Sequence, residues 1–164
     1  MTKLEPEPFG RISAGLDYPM VVVTCEVDGE RSGCLVGFAS QCSIHPPLSM
    51  VWVSQLNHTH RLALRAGHLG VHFLSRDDME LARLFGSTTG DEVDKFACCR
   101  WSRGPEGVPA LTDCARWAVA EVVERMATGD HTGLLVRFGP GVCRPWPGQL
   151  GFQAVHDLPP GHPA

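Results

Sequence analysis

The chain has 164 residues, 43% apolar and 20% charged, with a formal net charge of −4. That length favours one domain and suffices to bury roughly 70% of the unfolded chain's surface without staples. The slightly acidic balance argues against a nucleic-acid surface, which needs clustered Lys and Arg, and no apolar run reaches the roughly 18 residues of a membrane span.

Met1 to Gly10, with Glu5, Pro6, Glu7 and Pro8, reads as a loose tail and lacks the charged-then-apolar order of a signal peptide. Tyr18 to Val27 is β-rich, with Val21, Val22, Val23 and Val27, and Asp28-Gly29 closes it as a turn. Gly33 to Phe38 is expected to pair back as a hairpin. His45-Pro46-Pro47 breaks the chain and predicts extended geometry there. Leu48 to Ser54 reads as a buried strand centred on Met50 to Val53, with Trp52 in the core. Asn57 is placed to cap a short helix over Thr59 to Ala66, stopped by Gly67. Leu69 to Leu74 is a further strand. Ser75-Arg76-Asp77-Asp78 resembles a capping box opening a helix through Met79, Leu81, Ala82 and Leu84, which Gly86 ends. Gly86 to Pro109 predicts a long loop, long enough to suggest function. Ala115 to Met126 and Thr132 to Phe138 read as strands around a Gly129-Asp130 turn. Strands at hairpin spacing with few helices predict a mainly β fold (α+β), a closed or nearly closed barrel with peripheral helices. One domain is expected over residues 10–155, with tails 1–9 and 156–164.

The cysteines Cys25, Cys34, Cys42, Cys98, Cys99, Cys114 and Cys143 are odd in number, and no C-x-x-C pair occurs. They are expected as reduced thiols of a cytoplasmic protein, mostly small core fillers. His58 and His60 lack a nearby cysteine or acid to complete a ligand set, so no metal is expected. Trp101, Trp117 and Trp146 are expected in packing or on a dimer surface.

There is no G-x-G-x-x-G, phosphate-loop, G-x-S-x-G or H-E-x-x-H motif. A dinucleotide fold, a phosphate-loop NTPase, an α/β-hydrolase and a zinc protease therefore lose support. Three segments stand out instead. Ser32 to Pro47 carries Gly37, Ser40, Gln41 and Ser43 after a strand. Glycine admits a planar ligand close to the backbone there, although a plain tight connection explains such a loop more often. Ser54-Gln55-Leu56-Asn57-His58-Thr59-His60 joins a strand end to a helix start, which suits phosphate. Ordinary capping by Asn57 is the simpler reading. Gly129-Asp130-His131 puts an imidazole at a turn, where it can meet a cofactor ring. A surface turn in which Asp130 bonds its own backbone is the simpler reading.

Taken in order, these stretches resemble the flavin reductase family, whose fold is the FMN-binding split β-barrel. The match runs through Val21–Thr24, Gly33–Pro47 with its Ser-Ile-His-Pro-Pro ending, Asn57–Thr59, Leu81-Ala82-Arg83-Leu84-Phe85, Asp94-Lys95-Phe96, Gly129-Asp130-His131 and Pro147–Phe152. The resemblance implies a homodimer with the flavin near the subunit interface. It implies that Cys34, Leu35, Val36, Gly37, Ser40, Gln41 and Cys42 meet the ring and ribityl chain. Ser54, Gln55, Asn57 and Thr59 would receive the ribityl tail and phosphate, Lys95 and Phe96 would lie near the cofactor, and His131 would face nicotinamide. The implied activity is hydride transfer from NADH or NADPH to FMN or FAD. A flavin-dependent monooxygenase is the implied recipient of the reduced flavin, and no nucleic acid or membrane is implied as a partner. Cys42 would be an incidental neighbour of the flavin.

The chain departs from the family pattern in the loop. Where relatives carry Gly-Met-Thr-x-Asn-Ser, this chain has Gly33-Cys34-Leu35-Val36-Gly37-Phe38. A hydroxyl and an amide are lost at Leu35 and Gly37, and Phe38 stands for a serine, so bonding would fall to the backbone N–H groups of Gly37 to Cys42. His45 replaces an acid before Pro-Pro, and the late Pro-Leu-x-Tyr pattern becomes Pro147 to Phe152, changes that bear on FMN against FAD. Two other readings stay open: a split-barrel oxidase that retains its flavin and uses Arg61, Arg65, Arg76 or Arg83 for substrate phosphate, and a non-catalytic flavin-binding protein. The simpler reading of those arginines is solvated helix faces.

Overall fold

β-branched side chains pack well on a pleated surface, so the valine run should nucleate the sheet. In the computed structural model, which describes residues 4–162, that run is β1 (Val21–Val27). It turns at Asp28-Gly29 into antiparallel β2 (Glu30–Val36). Both turn residues have positive φ, 52° and 80°, as a primed hairpin turn requires. β3 (Ala39–Ser43) and β4 (Leu48–Ser54) follow, then α2 (His58–Ala63), β5 (His68–Phe73), α3 (Met79–Ser87), β6 (Trp101–Arg103), β7 (Pro109–Leu111), β8 (Arg116–Ala127) and β9 (His131–Cys143). A short helix, α1 (Phe9–Ala14), precedes them all.

β1 to β5, β8 and β9 form one antiparallel sheet in the order β2-β1-β5-β8-β9-β4-β3, and β6-β7 is a separate ribbon. The edge strands β2 and β3 are joined only by Gly37 and Phe38. Such a link spans at most about 11 Å, so the sheet must curl until its edges meet at one corner without pairing. That is a split barrel. Register shifts at Ala118/Ala120 and Val122/Glu124 in the long β8–β9 hairpin are bulges that help the curl.

The core lies on both faces of β1, which explains why its apolar run does not alternate. Val21, Val23 and Cys25 fill the barrel with Val51, Val53, Val71, Leu134 and Val136. Val22 faces outward and packs with Leu74, Leu81, Ala82, Phe85 and Leu111, beneath α3 and the β6-β7 ribbon. Thr24 Oγ1 donates to Pro109 O at 2.6 Å and seats that ribbon. The fully buried His72 ring completes the join. Its Nε2 accepts the Leu111 N–H at 2.9 Å, and its Nδ1 lies 3.1 Å from Val22 O. Only a neutral ring protonated at Nδ1 satisfies both contacts, and burial pulls its pKa down to about 4.

Several expectations shift. β3 replaces the expected loop, because its exposed Ser-Gln-Cys side chains carry no strand signal and pairing with β4 alone holds it. His45-Pro46-Pro47 is a tight turn between β3 and β4, not an extended segment. α1 lies largely beyond the expected tail and buries no residue, and β6 and β7 lie within the expected long loop. α2 begins and ends earlier than expected, with Asn57 Oδ1 accepting the Thr59 N–H at 2.9 Å. Asp78 Oδ2 accepts from Ser75 N at 2.7 Å and Ser75 Oγ at 2.8 Å, the reciprocal half of the expected box. Cys25, Cys34 and Cys114 are buried, Cys99 is half-buried, and Cys42, Cys98 and Cys143 are exposed, so fewer are core fillers than expected. Residues 1–3 and 163–164, the outer ends of the expected tails, lie outside the described residues. Among the described residues no helix is long and apolar enough to cross a membrane.

Candidate functional site

At the unpaired corner the chain leaves one sheet edge and enters the other. Gly37 and Phe38 lie outside both strand ladders, so their N–H groups stay out of the sheet hydrogen bonding. Phe38 O accepts from Trp52 N at 2.9 Å, which pins the link against β4. The Phe38 ring projects beside the corner and is 48% exposed. It stands edge-on to Tyr18 at 5.8 Å and tilted against His131 at 5.2 Å, and Tyr18 continues the row to Phe152 at 5.6 Å.

These rings separate two adjoining hollows. The inner one, about 210 Å³, is bounded by Cys34 to Phe38, Tyr18, Trp52, Ser54, Asn57, His131, Phe152 and His162. The outer one, about 470 Å³, is bounded by Gly37 to Ser40, Tyr18, Trp52, Thr128, Asp130 and His131. Tyr18, Gly37, Phe38, Trp52 and His131 border both, so the hollows form one cleft.

His131 starts β9 opposite Ser54 of β4. Its Nδ1 lies 2.6 Å from Asp130 Oδ1, and that hydrogen bond holds the Asp130 carboxyl below the usual carboxylate range. The pairing fixes the ring's tautomer and leaves Nε2 for a ligand. Gln55 N and Nε2 donate to Asp130 O at 2.9 Å and Gly129 O at 3.3 Å. The turn is thereby tied to the segment that begins α2.

The three segments singled out in the sequence thus converge. Cys34, Leu35, Val36, Gly37, Ser54, Asn57 and His131 line the inner hollow, and Ser40 lines the outer one. Gln55 braces the rim. Other expected residues do not reach the cleft. Gln41 bonds to Ser43 O at 3.0 Å on β3, and the neighbouring Cys42 is exposed. Thr59 is fully buried, its Oγ1 2.8 Å from Ser32 Oγ. Lys95 Nζ donates to Gly33 O and Phe85 O, both at 3.2 Å, and Lys95 and Phe96 border a separate hollow of about 300 Å³. Burial of the Lys95 ammonium pulls its pKa down. Its bonds bridge β2 to the α3 end, where carbonyls lack helical partners.

Sequence reasoning missed Tyr18, Trp52, Phe152 and His162. Trp52 was expected in the core but walls the cleft, and His162 was expected in a tail. Tyr18 carried only an aromatic ring next to a proline as signal, whereas Phe152 ended the Pro147–Phe152 stretch of the resemblance without being singled out. Arg61, Arg65 and Arg83 pair with Glu30, Asp28 and Glu80 as exposed ion pairs, in keeping with solvated helix faces. His58 bonds Asp91 and His60 bonds Thr132, and no cluster suited to a metal occurs among the described residues.

The donor set fits a flavin. Flat aromatic walls suit a planar tricycle, the backbone N–H groups of Gly37 and Phe38, which have no acceptor among the described residues, suit its carbonyl and nitrogen edge, and Ser54 and Asn57 offer polar groups for a hydroxylated chain.

Residues 13–138 match the flavin reductase like domain. The chain is 30% identical over 131 residues to the ferric-chelate reductase (NAD(P)H) of Archaeoglobus fulgidus, covering 79% of this chain and 75% of that protein. It is 30% identical over 110 residues to the FMN reductase (NADH) RutF of Methylorubrum extorquens, covering 67% and 53%. The first such relatives are longer, and the chain spans 40% to 75% of their length. Among solved structures, the FMN-binding protein from Thermus thermophilus with bound p-hydroxybenzaldehyde superposes with a TM-score of 0.79 at 25% identity, covering 91% of this chain and 88% of that one. With most of the sheet inside the matched span, this chain belongs to the flavin reductase like domain family.

Proposed function

We propose that this protein is an NAD(P)H-dependent flavin reductase that takes FMN or FAD and releases the reduced flavin to a flavin-dependent monooxygenase. The observation that carries the reading is the ring-walled cleft at the barrel split, with His131 at its rim. A bound flavin supplies the hydride acceptor, and a nicotinamide nucleotide supplies the hydride. Tyr18, Phe38 and Trp52 hold a flat ring and exclude water from its faces. The Gly37 and Phe38 N–H groups, at the border of both hollows, would donate to the flavin's oxygen and nitrogen edge, where preorganised donors lower the barrier. Ser54 and Asn57 take the polar chain. His131, fixed by Asp130, orients the nicotinamide so that the reacting atoms approach to about 3–3.5 Å.

The outer hollow opens to solvent beside the half-exposed Phe38, which supports exchange of flavin and entry of nicotinamide from that side. The resemblance to homodimeric relatives is carried over as a homodimeric working unit, for which Val123 and Met126 of β8, 43% and 50% exposed, offer apolar surface. The free thiols support a reducing, cytoplasmic setting. The test is loss of the nicotinamide absorbance band when the protein is mixed with NADH or NADPH and excess FMN or FAD. Multiple turnovers of free flavin support the reading, and tight flavin without nicotinamide oxidation contradicts it. A ferric chelate as final electron acceptor is a second reading, favoured by the ferric-chelate reductase of Archaeoglobus fulgidus, which is 30% identical and is covered over 75% of its length. Adding a ferric chelate with sub-stoichiometric flavin separates the two.

A further inference from the structure

A further hollow of about 120 Å³ lies inside the barrel. It shares no residue with the inner hollow of the cleft, and only Ala39 and Ser40 of β3 border both it and the outer one. Its walls come from five strands, through Val21, Ala39, Val51, Val71, Phe73 and Phe138. The three valines are each 1% exposed, and the two phenyl rings lie 5.9 Å apart, tilted by 49°. None of the residues lining it carries a charge.

The sequence explains the space. β1 and β3 belong to opposite ends of the sheet order and share no ladder, so the gap between them is closed by side chains alone. On the β3–β4 side the hollow is bordered by two small residues, Ala39 and Ser49, which pair with Val51 and Gln41. Close-packed interiors seldom leave room for more than a water, and a buried water needs roughly two to four polar partners. The side chains of β3 are committed elsewhere. Ser40 Oγ donates to Gln41 O, and Gln41 Nε2 donates to Ser43 O, both at 3.0 Å. Ser49 adds one hydroxyl to an otherwise hydrocarbon wall. An apolar cavity of about 150 Å³ stays dry and takes benzene or xenon, and this hollow has comparable size and chemistry.

We propose that this hollow is a binding site for one small uncharged molecule of benzene's size and apolarity, seated between the valines of β1, β4 and β5 and the two phenyl rings. Such a ligand braces β3, which pairs with β4 alone, against β1 and β5 across the split. The site is independent of the proposed flavin reductase reading, and neither falls with the other.

Benzene is the probe, used with the full chain and without flavin. Thermal unfolding in rising benzene shows a saturable increase in Tm, because a ligand held only by the folded state stabilises it by mass action. The dissociation constant is about millimolar or tighter. Methyl NMR locates the ligand: Val21, Val51 and Val71 shift with that same constant. Val71→Phe and Ala39→Leu each fill the space and weaken benzene binding by about tenfold or more. Ala39 is only half-buried, so Ala39→Leu carries the test if the Val71 variant does not fold. Phe38→Ala, which alters the flavin cleft and not this hollow, leaves benzene binding within about twofold. Absence of saturable binding, shifts confined to the residues around Phe38, or an unchanged constant in a folded filling variant overturns the proposal.

Discussion

Acidification should weaken this fold through His72 more than through any surface group. The ring is fully buried, and both its nitrogens are committed to backbone groups of other strands. Its pKa falls from 6.5 to about 4 because burial penalises the charged form. In the unfolded chain the imidazole takes up a proton below about pH 6.5. The folded state refuses that proton until about pH 4. The contribution to stability is therefore complete above the unfolded pKa and is lost as pH falls through this window. A shift of this size corresponds to about 3 kcal/mol, a large share of the roughly 5–15 kcal/mol that holds a domain together. His72→Gln keeps one donor and one acceptor on a side chain that does not titrate. Urea unfolding of both proteins between pH 7 and pH 4 isolates the effect from carboxylates common to the two. The variant is less stable at pH 7, and the gap narrows by about 3 kcal/mol on going to pH 4. Parallel curves would refute the assignment. Nitrogen-resolved NMR of the imidazole checks it separately, since the neutral tautomer protonated at Nδ1 should persist to pH 5.

Three further outcomes follow from the packing and the cleft. Gly70→Ala places a Cβ 2.4 Å from Thr24 Oγ1, which is itself held on Pro109 O; it should cost about 1–3 kcal/mol, read as a lower urea midpoint at unchanged slope. His131→Ala should raise the KM for NADH by about tenfold and leave the flavin dissociation constant within about twofold; a larger effect on flavin than on NADH would move His131 from the nicotinamide side to the flavin side. Lys95→Met removes the bonds to Gly33 O and Phe85 O and should lower Tm without altering flavin affinity. A selective loss of affinity at unchanged Tm would return Lys95 to the ligand.

The sheet was legible where local chemistry and tertiary demand agree. The valine run, the Asp28-Gly29 turn and the Asn57 cap each carry their own signal, and each is found in place. β3 was illegible because nothing in Ala39 to Ser43 favours a strand by itself. Its only support is the β4 ladder, which a local reading does not contain. β6 and β7 were hidden for the same reason, since the Thr24 hydroxyl and the His72 ring that seat the ribbon come from distant strands. In the cleft, His131, Gly37, Ser54 and Asn57 were legible through ordered short motifs, and the structure brings them together. Trp52 was misplaced because a tryptophan within a strand reads as core until the sheet is known to split beside it. Thr59 and Lys95 were expected at the ligand, yet a buried hydroxyl pair and carbonyl bonds occupy them. Which face of a strand looks into a cleft depends on the curl of the sheet, and local spacing does not record it.

Titration of the purified protein with FMN and with FAD, followed by quenching of flavin fluorescence, bears most directly on whether the corner between β2 and β3 holds a flavin. Saturable binding of at least one of them, weakened when Phe38 is replaced by alanine, is the result required. A flat titration with both nucleotides would leave the ring-walled cleft without its ligand and contradict the account.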